Sequence, residues 1–245
     1  MKIALITDTH WGVRNDNVAF LDNSKRFLDE IFFPSIRDNG ISTVIHLGDL
    51  VDRRKYININ TARRLREDFL IPMREHSLDV HIIAGNHDLN LSNMNRLDSL
   101  TPLVNSINHS NLWYLKHSGV YTVGDTDLAV YSILDDKELW PSYKDCESKK
   151  KIALYHGPVH GAQTDARYVI TNRHVEVSLF NGFDMVLLGD IHKRQEMQSP
   201  SGCKVVYAGS LLQQNFGETL NEHGFLVWDL ETLKYESVDI QNDYG

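Results

Sequence analysis

The stretch KIALITDTHWG (residues 2–12) opens the chain with an apolar run that ends in Asp8 and His10. A short buried strand written this way delivers polar side chains from its C-terminal end, and residues two apart project to the same side. The pattern returns four times. Residues 43–48 are followed by Asp49, 80–85 by Asn86-His87-Asp88, 151–155 by His156, and 185–189 by Asp190 and His192. Lone Asp residues after strands are common, but five ordered strand ends offering Asp, Asn or His describe a metal site assembled from distant parts of the chain. Between the first three runs lie helix-like stretches. Residues 24–39 carry apolar Phe27, Leu28, Ile31, Phe32 and Ile36, with Pro34 disturbing the last turns and Asn39-Gly40 as the stop; residues 60–76 are helical and strongly basic. Strands alternating with helices imply parallel crossovers, and such sheets bind ligands at the carboxyl ends of their strands.

After about residue 110 the pattern changes. Runs 112–115, 120–123 and 128–133, separated by Gly119 and Gly124-Asp125, predict antiparallel pairing. Residues 135–151 predict a surface excursion, 185–188 and 205–208 buried strands, and 225–229 with 233–240 a closing hairpin. There is no internal repeat beyond the two Asp-x-His pairs. The final Asn242-Asp243-Tyr244-Gly245 carries no stop signal, so the chain is expected to be the catalytic part of something longer.

A length of 245 residues fits one domain, 1–245, with an ample core, and 42% hydrophobic with 24% charged residues is ordinary globular composition. No apolar run approaches the roughly 18–20 residues that span a bilayer, and the N-terminus runs straight into a strand rather than a signal peptide. Cys146 and Cys203 lie far apart without Cys-x-x-Cys spacing. They argue against a zinc knuckle or disulfide framework and fit a reducing compartment, the cytoplasm (a host cell's, should the source be viral). The net charge of −8 speaks against a broad electrostatic grip on nucleic acid, so any polynucleotide must be held by local basic clusters and bound metal.

Asp and His in mixture suit first-row divalent ions, and the oxygen-rich balance favours manganese, iron or magnesium over a thiolate zinc site. Clustering Asp8, Asp49 and Asp190 without cations would cost several kcal/mol per buried ion. Two divalent ions resolve this, leaving about one net positive charge for a phosphate oxygen, and a carboxylate between them can bridge at roughly 3.5–4 Å. Other readings stay open at this point. Asp49 could cap a helix, Asn86 could shape a turn, and His156 could be a core histidine with His160 as the rival ligand. His87 has no packing reason at a loop apex.

Asp8-Thr9-His10, Gly48-Asp49-Leu50-Val51-Asp52, Gly85-Asn86-His87-Asp88, His156-Gly157 and Gly189-Asp190-Ile191-His192 resemble the ordered motifs of the calcineurin-like metallophosphoesterases, over residues 1 to about 220. The resemblance implies an α/β fold, a four-layer αββα sandwich with two mixed β-sheets and a dimetal site at the strand ends. It implies that Asp8, His10, Asp49 and His192 hold one metal, with Asp49 bridging, and that Asn86, His156 and position 190 hold the other. His87 would assist the transition state, with Asp52 or Asp88 orienting it. The family usually reads Gly-His-x-His at the last motif, whereas this chain has Asp190. That aspartate either ligates, shifting preference toward manganese or magnesium, or supports a ligating histidine.

Arg53-Arg54-Lys55 follows the second motif, Arg63, Arg64 and Arg66 sit on the next helix, and Lys193-Arg194 follows His192. With Arg14 they are candidate DNA contacts near the ligands. Trp11 could stack on a base or pack inside. No Ser or Cys nucleophile and no P-loop is recognisable. The runs Asp8–Gly12, Gly48–Arg54, Leu188–Gln195 and Tyr207-Ala208-Gly209-Ser210-Leu211…Asn215-Phe216-Gly217-Glu218 are similar to the SbcD-type recombination and repair nucleases, which include bacteriophage members. That likeness implies a manganese-dependent exonuclease on double-stranded DNA and endonuclease on single strands, hydrolysing phosphodiesters with dimetal-activated water. Magnesium is the second choice of metal. It also implies a homodimer and an SbcC-type coiled-coil ATPase partner, although the chain ends too early to contain the C-terminal DNA-capping and ATPase-binding regions. A small-substrate phosphodiesterase or protein phosphatase on the same core, and a non-catalytic scaffold with a degenerate metal site, are the alternatives.

Overall fold

A computed structural model describes residues 1–91 and 97–240, so the expectation for 242–245 lies outside the described residues. The strands are β1 (Lys2–Ile6), β2 (Thr43–His46), β3 (Asp79–Ile82), β4 (Leu112–Tyr114), β5 (Gly119–Val123), β6 (Thr126–Tyr131), β7 (Lys150–His156), β8 (Met185–Gly189), β9 (Gln195–Gln198), β10 (Lys204–Tyr207), β11 (Gly224–Asp229) and β12 (Lys234–Asp239). They form two mixed six-stranded sheets, ordered β12-β11-β1-β2-β3-β4 and β5-β6-β7-β8-β10-β9. The expected hairpin β11–β12 closes the edge of the first.

Central parallel strands are buried on both faces, which is why their sequences read as continuous apolar runs rather than alternations. Ile3, Leu5, Ile45, Leu47 and Ile83 pack against Leu128, Val130, Ile152, Leu154 and Leu187 between the sheets. The opposite faces, with Ala4, Ile6, Val44, Val80 and Ile82, pack on the helices. The outer face of the second sheet is covered by Phe180, Phe183 and Cys146 over Tyr131, Tyr155 and Leu188. Among the described residues no α-helix follows Leu100–Asn105, so this fourth layer is built of loops and 3-10 turns.

The first helix begins at Val18, earlier than its apolar stripe suggested, because the Asn17 side chain accepts the Ala19 N–H and caps it. It runs as Val18–Phe27, a π turn Leu28–Phe32, and Phe33–Asp38 around Pro34. The second repeats the device: Ile59–Arg64, a π turn Leu65–Leu70, then Ile71–Glu75 around Pro72. In both, proline lacks the N–H that would continue the ladder, and one wider turn absorbs the defect.

One expectation fails here. β4 pairs parallel with β3, Val80 opposite Leu112, rather than antiparallel with its successor; β5 and β6 are antiparallel as expected. Three residues are too few to show which sheet they join. The 135–151 excursion is also anchored, since the Trp140 ring packs on Tyr131 and Tyr155.

Candidate metal centre

The C-terminal ends of β1, β2 and β3 meet those of β7 and β8 where the two sheets face each other. Backbone hydrogen bonds carry the β1–β2 pairing on into the loops: Asp8 N–H donates to Gly48 O (3.1 Å), His10 N–H to Asp49 O (3.0 Å) and Asp52 N–H to Trp11 O (3.1 Å). His156 Nδ1 donates to Leu47 O at 2.6 Å and ties the second sheet to the first at this point. Asp8 (φ 50°), His10 (41°), Asp49 (52°) and Asp190 (88°) all have left-handed backbone. Each such residue costs of order 1–3 kcal/mol, a strain that the surrounding structure holds in place. Close approach also fixes two glycines. A Cβ on Gly48 (φ 95°) would stand 2.6 Å from His156 Nδ1, and one on Gly85 would stand 2.1 Å from Asp49 Oδ1.

Asp49 lies at the centre. Its Oδ2 is 3.5 Å from His10 Nε2 and its Oδ1 is 3.4 Å from His156 Nε2, so one carboxylate faces two imidazoles through separate oxygens. Asp8 Oδ1 is 3.8 Å from His10 Nε2 and 3.7 Å from His192 Nε2. The Asn86 carboxamide meets His156 Nε2 at 3.1 Å. Turned over, that carboxamide donates to Asp190 at 3.2 Å and to His156 Nε2 at 3.1 Å, and accepts from exposed Arg54 at 3.3 Å. Asp190 Oδ1 is 3.9 Å from His156 Nε2. Three groups, Asp8/His10/His192, His10/Asp49/His87 and Asp8/Asp49/His156, each bring their ligand atoms within 4.8 Å of one another.

These residues fit divalent cations. His10 is buried, yet neither ring nitrogen has a hydrogen-bond partner, and Nε2 aims between Asp8 and Asp49. An unmatched buried polar atom costs about 1–3 kcal/mol unless something else satisfies it. His156, its Nδ1 spent on a carbonyl, turns Nε2 toward carboxylate oxygens of Asp49 and Asp190. A lone pair set among oxygens calls for a cation, and the set contains no thiolate.

Protons feel the same field. Burial pulls His10 down, but Asp52, Asp8 and Asp49 together carry it up to about 10. His156 rises well above 6.5 against burial, chiefly through Asp49. Asp8 stays well below the usual carboxylate range although burial opposes it, held there by His10, His156 and His192. Burial pushes Asp190 up.

Two supporting residues carry no signal in the motifs themselves. Glu218 Oε1 accepts from His192 Nδ1 at 2.8 Å, which turns His192 Nε2 toward Asp8. Its only sequence hint is the Asn215-Phe216-Gly217-Glu218 run. His46, fully buried on β2, accepts the Gly48 N–H at Nδ1 (3.2 Å) and donates from Nε2 to Thr9 Oγ1 (3.1 Å), bracing both loops. Burial pushes it down to about 3, so it is neutral.

His87 lies at the rim. Its N–H donates to Asp49 Oδ1 at 2.7 Å, its Nδ1 donates to the Asp52 backbone carbonyl at 2.6 Å, and its ring stands 4.8 Å from His10. The group that orients it is therefore the Asp52 carbonyl; the Asp52 carboxylate instead lies 3.7 Å from His10 Nδ1. Asp88 has a different task from the one expected. Its carboxylate is fully buried and accepts from Gly85 N–H (2.9 Å), Val51 N–H (3.1 Å) and Leu50 N–H (3.3 Å), clamping two loops away from the cavity. Burial, then Asp49, pushes it up to about 7. His160, the rival to His156, belongs to none of the three groups.

The candidate DNA contacts divide. Trp11 is 3% exposed and packs on Phe69, so base stacking is ruled out and the packing reading holds. Arg194 is also committed: its Nε donates to Ala208 O at 3.1 Å and it pairs with Asp239. Arg53 is engaged by Asn15 (2.6 Å), Tyr56 (2.6 Å) and Asp16 (3.4 Å). On the helix, Arg63 pairs with Glu67 and Arg64 with Asp68 and Asp22. Arg14 and Arg54 are exposed and Lys193 half-buried, the last only 3.4 Å from Gln163 Oε1.

The sequence profile of the calcineurin-like phosphoesterases matches residues 1–194. An uncharacterized protein of Acanthamoeba polyphaga mimivirus is 43% identical over 176 residues, 68% of this chain and 13% of that one. The SbcD component of the SbcCD nuclease of Staphylococcus saprophyticus is 24% identical over 271 residues, 96% of this chain and 67% of that one. The DNA double-strand break repair protein Mre11 of Sulfolobus acidocaldarius is 25% identical over 224 residues, 86% and 54%. The chain thus spans between 13% and 67% of the length of these relatives. A dimetal phosphatase from Danio rerio shares the fold, with a TM-score of 0.58 at 10% identity over 100% of this chain and 99% of that one. No described helix is long and apolar enough to cross a membrane. With the profile running through all five strand ends, the chain belongs to the calcineurin-like phosphoesterase family.

Proposed function

We propose that this protein is a manganese-dependent deoxyribonuclease of recombination and double-strand-break repair, an exonuclease on duplex ends and an endonuclease on single strands. The observation that carries the reading is Asp49, whose two oxygens face His10 and His156 separately, as a carboxylate shared by two cations would. Asp8, His10, Asp49 and His192 would hold one ion; Asp49, Asn86, His156 and Asp190 would hold the other. Magnesium is the second choice of metal. When bound, the ions screen phosphate charge and lower the pKa of water toward neutrality. His87, with Nδ1 fixed on the Asp52 carbonyl, keeps Nε2 for a phosphate oxygen or for a proton passed to the leaving oxygen. Glu218 and His46 hold the imidazole and the loops in register.

DNA as substrate is supported by the SbcD and Mre11 relatives and by the exposed Arg14 and Arg54. By the same relatives the proposal extends to a homodimer and an SbcC-type ATPase partner. Two free, buried cysteines suit work in the cytoplasm. The test is cleavage of end-labelled duplex, hairpin and circular single-stranded DNA with manganese or magnesium, beside Asp49→Ala and His87→Ala. Manganese-dependent cleavage abolished by either change is expected, and persistent cleavage by Asp49→Ala removes that residue from the bridging role. The net charge of −8 favours a second reading, a small-substrate phosphodiesterase or phosphatase, which predicts bis-p-nitrophenyl phosphate hydrolysis with no DNA cleavage. The absence of all manganese-stimulated hydrolysis would mark a scaffold.

A further inference from the structure

The loop 213–218 separates two cavities. One, about 260 Å³, is lined by Asp190, His192 and Glu218 of the metal centre with Thr164, Asp165 and Asn215. The other, about 380 Å³, opens among Arg14, Phe20, Leu212, Asn215, Phe216 and Ile240. Asn215 lines both. At the mouth of the second cavity Phe216 is 96% exposed, more than any other large hydrophobic side chain among the described residues. The Arg14 guanidinium stands 5.1 Å from its ring centroid.

Arg14 is aimed, not loose. Its Nε donates to Gln214 O at 2.8 Å. Arg14, Asn15 and Asp16 are consecutive left-handed residues (φ 54°, 60° and 61°). Thr61 Oγ1 (2.8 Å) and Arg53 (3.4 Å) hold Asp16 and so pin this strained turn. A phenylalanine left almost fully in water forgoes roughly 1.5–3 kcal/mol of burial, so its position beside a metal centre is not explained by folding.

We propose that the second cavity receives an unpaired nucleobase, stacked on the Phe216 face opposite Arg14, of a strand whose neighbouring phosphate lies at the metal centre. The proposal rests on the phosphodiesterase reading and deepens it, because it names the substrate as a strand with an unpaired base beside the scissile bond. A volume of about 380 Å³ lies at the low end of small-ligand sites, roughly 300–1,000 Å³, and suits a planar ring rather than a duplex. Stacking on an aromatic face tolerates any base, and the guanidinium over one face of the Phe216 ring leaves the other face for it. On the cavity wall the Asn17 and Asn23 carboxamides, whose oxygens accept from Ala19 N–H and Arg26, can turn their N–H2 donors to a base edge. A duplex end fills the site only by releasing its terminal base. For an acidic chain, stacking also holds a polynucleotide without many phosphate contacts. The role that sequence offered to Trp11 thus falls to Phe216.

The test compares, by fluorescence anisotropy with calcium as a non-catalytic divalent ion, a short labelled thymidine strand and an abasic strand of equal length and charge. The wild-type protein is expected to bind the base-bearing strand on the order of tenfold more tightly. Phe216→Ala should abolish that preference, and Phe216→Trp should retain it. Equal affinity for the two strands in the wild type, failure to bind either, or a preference that Phe216→Ala leaves intact would overturn the proposal. Manganese-dependent hydrolysis of bis-p-nitrophenyl phosphate, which carries no base, reports the phosphodiesterase reading separately. Its absence sinks that reading, while the strand preference still decides the cavity.

Discussion

Changing Glu218 to Gln removes one charge and almost no volume, and the structure says what that should do. Glu218 is buried, and its two oxygens take three donors: His192 Nδ1 (2.8 Å) and the Asn215 carboxamide on Oε1, and Gln214 N–H (2.7 Å) on Oε2. A glutamine presents one oxygen, so its N–H2 must face one of these donors. A buried donor without an acceptor costs about 1–3 kcal/mol. At roughly 2–4 °C per kcal/mol for a protein of this size, Tm should fall by about 2–12 °C. Whichever way the amide turns, His192 loses a charged acceptor, and such bonds are about twice as strong as neutral ones. Losing the carboxylate behind a metal-holding histidine typically weakens metal binding on the order of 10–100-fold. Isothermal titration with manganese should therefore show one weakened equivalent in a folded protein. Wild-type affinity for both equivalents in Glu218→Gln would refute the reasoning that Glu218 sets His192.

Three further outcomes follow from the same contacts. His46 is pushed from 6.5 down to about 3 by burial, so between those values the unfolded chain binds the proton and the folded chain does not. Stability contributed by this site is complete above pH 6.5 and is lost as pH falls toward 3. In urea titrations with chelator, His46→Gln should flatten that slope by up to one proton, ~1.4 kcal/mol per pH unit; an unchanged slope would show that His46 is not buried neutral. Trp11→Ala should cost about 3–5 kcal/mol in unfolding experiments, because the ring lies in the core against Phe69. A fully stable Trp11→Ala protein with weakened DNA binding would restore the stacking role. For Asp190→Ala, manganese counted by elemental analysis should fall from two equivalents toward one; full stoichiometry would leave Asp190 a mere support for a ligating histidine.

The five strand ends were readable because each strand is buried toward its C-terminal end, where the run stops at Asp, Asn or His, and burial on both faces leaves no alternation to obscure the boundary. Which oxygens face which nitrogens was not readable, since it depends on left-handed backbone at Asp8, His10, Asp49 and Asp190; Asp and His adopt a positive φ more often than most residues, but their presence does not say where. Asp88 and Trp11 mislead for a common reason: each sits one residue from a site side chain and points the other way, into three amides or into the helix layer. Glu218 lies 26 positions from the histidine it orients, beyond any local spacing rule. β4 was placed with its neighbours in sequence because a strand of three residues has too little pattern to declare a partner. The outer layer, which has no α-helix among the described residues, rests on scattered aromatics, Trp140, Phe180 and Phe183, whose spacing has no period.

Anomalous diffraction from crystals grown with manganese tests the central claim most directly. Two peaks roughly 3.5–4 Å apart are predicted, one enclosed by Asp8, His10, Asp49 and His192 and the other by Asp49, Asn86, His156 and Asp190. Manganese bound elsewhere, or a single ion that leaves one Asp49 oxygen bare, would contradict the account.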